Sequence, residues 1–199
     1  MALSPRTTML KTFLTGIAAL SLTAAAGSVV AQNQDGPITT QNRGGETADA
    51  LRLREAVAYA NPMPRGAPTQ DYALVAWCDA LVTGHADLGE TLAERTPEDA
   101  ELVRLGRLEA QDFRGALTAA EPRQSAASKT AAQQAAASAK AQWAPLLANQ
   151  DAEIRSQAFG LFFGLPGRCE HAARRIRDNI TTPPATPAEV GLEEPSAAN

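Results

Sequence analysis

Aromatic residues, histidine and cysteine are scarce in this chain. Among 199 residues there are five Phe, two Trp, two Tyr, two His and two Cys. There is no CxxC pair, CxxCH haem motif, HExxH, GxGxxG, P-loop or GxSxG elbow. Those absences remove the usual sequence templates for thiol redox chemistry, haem attachment, zinc proteolysis, nucleotide binding and serine hydrolysis. β-branched residues are also sparse and period-two alternation is missing, so no sheet is expected. After the first thirty residues there is no second long apolar run, so the mature chain carries no membrane span.

What the chain does have begins at its start. Arg6 and Lys11 precede an Ala/Leu-rich stretch from about Phe13 to Ala26, and Val29-Val30-Ala31 offers small residues for cleavage. This pattern is that of a secretory signal peptide over residues 1–31. A retained anchor is the alternative, but the stretch is weakly hydrophobic for one. No cysteine follows the cleavage site, which argues against lipoprotein processing. The removed segment holds two bases and no acid, so the net charge moves from −4 to −6. An acidic mature chain argues against broad binding of nucleic acid or anionic membranes. The Ala-rich, Arg-over-Lys composition suggests a bacterial periplasm, or secretion.

Residues 32–46 are polar and Gly-rich, and residues 181–199 are Pro-rich and acidic. Both are expected to be disordered. Between them, residues 47–180 read as one all-α domain, a bundle of five or six helices. The first helix ends at Asn61-Pro62-Met63-Pro64. The second starts at a cap on Thr69 or Asp71 and runs as far as Glu94. Leu74, Cys78, Leu81, His85, Leu88 and Leu92 form its stripe, with Gly84 and Gly89 as points of weakness or bending. The third opens with Thr96 as cap and Pro97 in the first turn. Its broad apolar surface, widened by Leu102, Leu105 and Leu108, suggests a central position. Thr118 and Glu121 are placed to form a capping box for the next helix. Leu117–Glu121 (LTAAE) is also similar, over five residues, to the LTxxQ element of small helical periplasmic chaperones; with Glu121 in place of Gln it assigns no family.

Residues 125–144 are about half alanine. They are expected to form a long helix that packs lightly and is anchored by Trp143. A fifth helix, from near Asp151 to Gly164, would stack Phe159 and Phe163 four residues apart. A sixth would run from Arg168 to Asn179.

Four groups of residues are candidates for function. Cys78 and Cys169 are the only thiols, and export makes a disulfide their default state. The alternative is a Cys2His2 metal site from Cys78, His85, Cys169 and His171. Cys78 and His85 are seven apart, about 10 Å along a helix, which suits one tetrahedral ion poorly. His85 is expected to be a core-face residue with a satisfied polar contact, and His171 to be partly exposed. The aromatic residues Trp143, Phe159, Phe162 and Phe163 either fill the core or line an apolar groove beside the Ala-rich helix. Arg174 and Arg175, with Arg168 and Arg177, either meet an acidic partner or neutralise neighbouring helices. The expectation from these residues is a non-catalytic interaction or binding module for a protein or apolar ligand, with no cofactor. A chaperone-like or inhibitor-like protein binder is one alternative. A small hydrolase using His85 or His171 is the other.

Overall fold

Thr47 caps the first helix, its hydroxyl accepting a hydrogen bond from Ala50 N at 3.1 Å. The structure, a computed structural model, describes residues 46–192. The expected signal peptide, residues 32–45 of the expected leader and residues 193–199 of the expected tail lie outside the described residues. Among the described residues there are six α-helices and no strand: α1 (Ala48–Ala60), α2 (Asp71–Glu90), α3 (Pro97–Ala120), α4 (Ala126–Leu147), α5 (Ala152–Gly160) and α6 (Arg168–Arg177). None is long and apolar enough to cross a membrane.

Local chemistry sets most helix ends. Asn61 is extended ahead of Pro62, as a residue before proline prefers, and closes α1. Thr96 and Asp99 exchange side-chain and backbone hydrogen bonds in a capping box, with Pro97 in the first turn of α3. The expected Thr118–Glu121 box does not form. α3 continues to Ala120, a 3-10 turn follows at Glu121–Arg123, and Ser125 caps α4. Gln70, not Thr69 or Asp71, occupies the cap position of α2, and it makes no side-chain capping bond.

The centre of the bundle is α2, not α3. Fourteen of the twenty residues of α2 are buried, so neighbours cover it on almost every side. By contrast Leu102 of α3 is exposed, and Leu105 and Leu108 are half-buried. α2 takes this place because it alternates large residues (Leu74, Trp77, Leu81, Leu88) with Ala and Gly. Gly84 and Gly89 neither bend nor end the helix; they are contact points. A Cβ at Gly84 would run into the indole of Trp143 on α4, and one at Gly89 would lie 2.5 Å from both Phe159 and Val103. On another side, Gly106 of α3 rests near Val82 and Ala86.

The alanine helix departs from expectation in the same way. α4 packs along α2 as extensively as α3 does, through Ala132, Ala139 and Trp143, with Ala135, Ala136 and Leu146 beside them. Small side chains bury little area each, but they let two backbones approach closely, and the contact is long. α6 packs on both α2 and α3. Cys169 of α6 is joined to Cys78 of α2 by a disulfide spanning 91 residues of sequence. Past α6 the chain does not become disordered at residue 181. Thr181–Leu192 folds back, with a 3-10 turn at Ala188–Val190 that touches α1 and Arg175 bonding to the Thr182 carbonyl.

Two outcomes test this packing. Replacing both Cys78 and Cys169 by Ala is expected to lower stability by about 2–5 kcal/mol, read as a urea midpoint shift. Gly84→Ala should cost about 1–3 kcal/mol because the methyl overpacks Trp143. The quenching of Trp fluorescence reports whether that ring is displaced.

Candidate functional site

The stretch 159–163 divides three ways. Phe159 is 3% exposed, Phe162 is half-buried, Leu161 is 67% exposed and Phe163 is 92% exposed. Neither the all-core reading nor a Phe159/Phe163 stack survives, and the cause is local. In a continued helix the carbonyl of Phe159 would accept from Phe163 N. Here it lies 3.0 Å from His85 Nε2 and 3.4 Å from Phe162 N. A carbonyl can only accept, so His85 Nε2 carries the proton. With that acceptor diverted, and Gly160 a poor helix former, α5 stops one turn short of Gly164. Gly164 then takes a φ of +94°, which suits glycine.

His85 lies between two phenyl rings. Its ring centroid is 4.3 Å from that of Phe159, with planes 9° apart, and 4.4 Å from that of Phe162, with planes 27° apart. Trp143 flanks this sandwich, its centroid 5.9 Å from His85 and 5.7 Å from Phe162. Burial pushes the His85 pKa down, and the hydrogen bond to Phe159 O opposes that shift. Phe159 itself enters a slot that exists because position 89 is glycine. The site is thus an anchored inner layer (His85, Trp143, Phe159), a half-covered ring (Phe162), and an outer pair in solvent (Leu161, Phe163). Ile154, also exposed, is seven residues before Leu161 and shares its helix face.

The structure places the other candidates elsewhere. The two sulfurs are bonded to each other, so they have no thiolates to offer. The Cys78/His85/Cys169/His171 metal site is therefore ruled out. Among the described residues no group of three or more His, Cys, Asp or Glu is arranged to hold a metal ion. His171 is not partly exposed. It is 2% exposed, its Nδ1 has no hydrogen-bond partner, and burial again lowers its pKa.

Arg174 and Arg175 lie in a charged seam between α1 and α6. Both meet Glu55 at 3.1 Å, and Arg175 also meets Asp71 at 3.1 Å. Tyr59 donates to Asp71 at 2.8 Å, while Arg168 stacks over the Tyr59 ring at 4.8 Å. Arg52, Glu55, Arg174, Arg175, Thr182 and Glu189 line a cleft of roughly 460 Å³ here, roofed by the folded-back C-terminal segment. Of the arginines named for an outside partner, Arg174, Arg175 and Arg177 are thus engaged with acids of the same chain, and Arg168 with Tyr59. The sequence marks Asp71 only as a candidate cap and does not mark Glu55 at all, because nothing local reveals a partner, Arg175, over a hundred positions away.

On the other side of α6, Arg177 pairs with Asp112 of α3 at 2.9 Å, but one acid there has no such partner among the described residues. Glu109 of α3 is pushed up to about 7, first by burial and then by Glu170 and Asp112. Its ionised form is penalised in the folded protein. That penalty is complete above about pH 7 and disappears as pH falls toward the ordinary carboxyl value. Glu109→Gln is therefore expected to stabilise the protein at alkaline pH, by at most about 3 kcal/mol, with the gain vanishing on acidification. Paired thermal melts across that range measure the difference.

Comparison of the chain with protein-family models, with characterised proteins and with solved structures finds no match.

Proposed function

We propose that this protein is an exported, non-catalytic binding module that engages apolar segments of other proteins through the α5–α6 connection. The observation that carries the reading is Phe163. Its ring is 92% exposed, yet it sits on a connection fixed at both ends, by Phe159 in the core and by the Cys169 disulfide. Exposed apolar side chains on a fixed segment are characteristic of contact surfaces. A ring standing out from the surface suits insertion against a macromolecule better than enclosure of a small ligand. The disulfide and the N-terminal sequence pattern both support a compartment outside the reducing cytoplasm.

The hydrolase alternative draws no comparable support. His85 bonds to a carbonyl rather than a carboxylate, and His171 has no carboxylate hydrogen bond among the described residues. A general base needs an orienting partner and access to substrate.

A permanently unfolded probe, reduced and carboxymethylated α-lactalbumin, tests the reading. Burying a Phe side chain contributes about 1.5–3 kcal/mol, so Phe163→Asp should weaken binding by roughly ten- to a hundredfold. Its melting temperature should be nearly unchanged, since the site is solvent-exposed. No binding by the wild type, or equal binding by the variant, removes the proposal.

A further inference from the structure

We propose that His85 is an acid-operated latch, holding α5 and its aromatic connection against α2 while neutral and releasing them when its ring takes a second proton. This deepens the binding reading above and rests on it for its purpose, though not for its mechanism.

The grip of α5 on the bundle is narrow. Phe159 is its one buried residue. Phe159 sits in the slot at Gly89 and Phe162 meets Trp143, and the imidazole joins the two, with one hydrogen bond to the Phe159 carbonyl and a ring face toward each phenyl. In the neutral ring, Nε2 donates and Nδ1 keeps a lone pair without a hydrogen-bond partner. A second proton at Nδ1 would put a positive charge on a ring enclosed by two phenyls, while Nε2 goes on donating to the Phe159 carbonyl. Attraction to the phenyl faces offsets part of that cost, but a buried charge with no counter-ion is disfavoured.

No counter-ion is at hand. On α2, Asp87 and Glu90 pair with Arg107, and Asp79 pairs with Arg114. From α4, Lys129 pairs with Glu121, Lys140 is exposed, and Trp143 is what meets the ring. On α5, Asp151 caps the helix, Glu153 accepts from Gln157, and Arg155 donates to the Asn149 carbonyl. α3 adds Val103 at the Phe159 slot. The downward push of burial on His85 agrees with this geometry: the folded state favours the neutral ring.

Release would also be confined. α6 is tied to α2 by the disulfide, so the segment free to swing is bounded by the end of α4 and by Cys169. Its exposure would add Phe159 and Phe162 to the outer pair, enlarging the apolar surface.

The test is hydrogen exchange of residues 152–163 in the full mature chain, corrected for intrinsic rates, at about pH 7.5 and about pH 5. His85 titration is followed by NMR of its ring protons. Wild type should lose roughly tenfold or more protection in this segment as His85 protonates, and His171→Gln should behave as wild type. His85→Phe, which keeps ring stacking and cannot titrate, should show no acid-linked loss. If that variant does not fold, His85→Gln, which keeps a donor for Phe159 O, takes its place. Protection that ignores pH in the wild type overturns the latch, as does the same acid-linked loss in both non-titrating variants. Acid opening without binding of the unfolded probe would retain the latch and remove the binding reading. Phe163-dependent binding without acid opening would do the reverse.

Discussion

The indole of Trp143 fills the volume that a side chain at Gly84 would need, and the ring of Phe159 does the same at Gly89. The rest of the bundle follows from this exchange of volume. A helix can be surrounded only if each face leaves room for a neighbour. α2 does so by placing Ala and Gly between its large residues, and α4 by being mostly alanine where they meet. Close backbone approach over a long contact replaces the large side chains that a bundle core ordinarily uses. Trp143 and Phe159 fill the places where a gap remains.

This division explains how much was legible. Helix content, the number of helices and the Thr96/Asp99 start of α3 followed from periodicity and caps, which act over a few residues. The Cys78–Cys169 pairing followed from there being two cysteines and one expected compartment. The central helix was misjudged because counting apolar residues favoured Leu102, Leu105 and Leu108 on α3. What decides centrality is how many faces can be approached, and Gly84 and Gly89 carried that information while looking like defects. The end of α5 was misplaced for a different reason. His85 is 74 positions from the carbonyl it bonds, and only the tertiary structure reveals that competitor for the helical acceptor. The aromatic stretch is visible in the sequence, but which of its rings faces solvent depends on that same bond.

Charge is paired on the α1 side of α6 and only partly paired on its α3 side. Toward α1, arginines and acids from distant parts of the chain are paired, and the segment after Ile180 closes over them. Replacing one member there leaves a partner buried without compensation, which costs more than the pair itself contributes. Toward α3, Arg177 pairs with Asp112, whereas Glu109 has acidic neighbours and no ion pair among the described residues. The helix that carries Cys169 is therefore held by matched charge toward α1 and by the disulfide and the Arg177–Asp112 pair elsewhere, against the pH-dependent repulsion of Glu109.

The disulfide encloses a defined part of the molecule. α3, α4 and α5 lie between Cys78 and Cys169, whereas α1 and the folded-back C-terminal segment lie outside that ring. A protease that cuts the exposed Leu161–Gly164 stretch, or any other bond inside the ring, leaves both fragments in one covalent molecule. Only the addition of one water reveals such a cut in the oxidised protein. A cut before α2 or after α6 sheds a piece at once. Cleavage at this exposed stretch thus costs the molecule no mass.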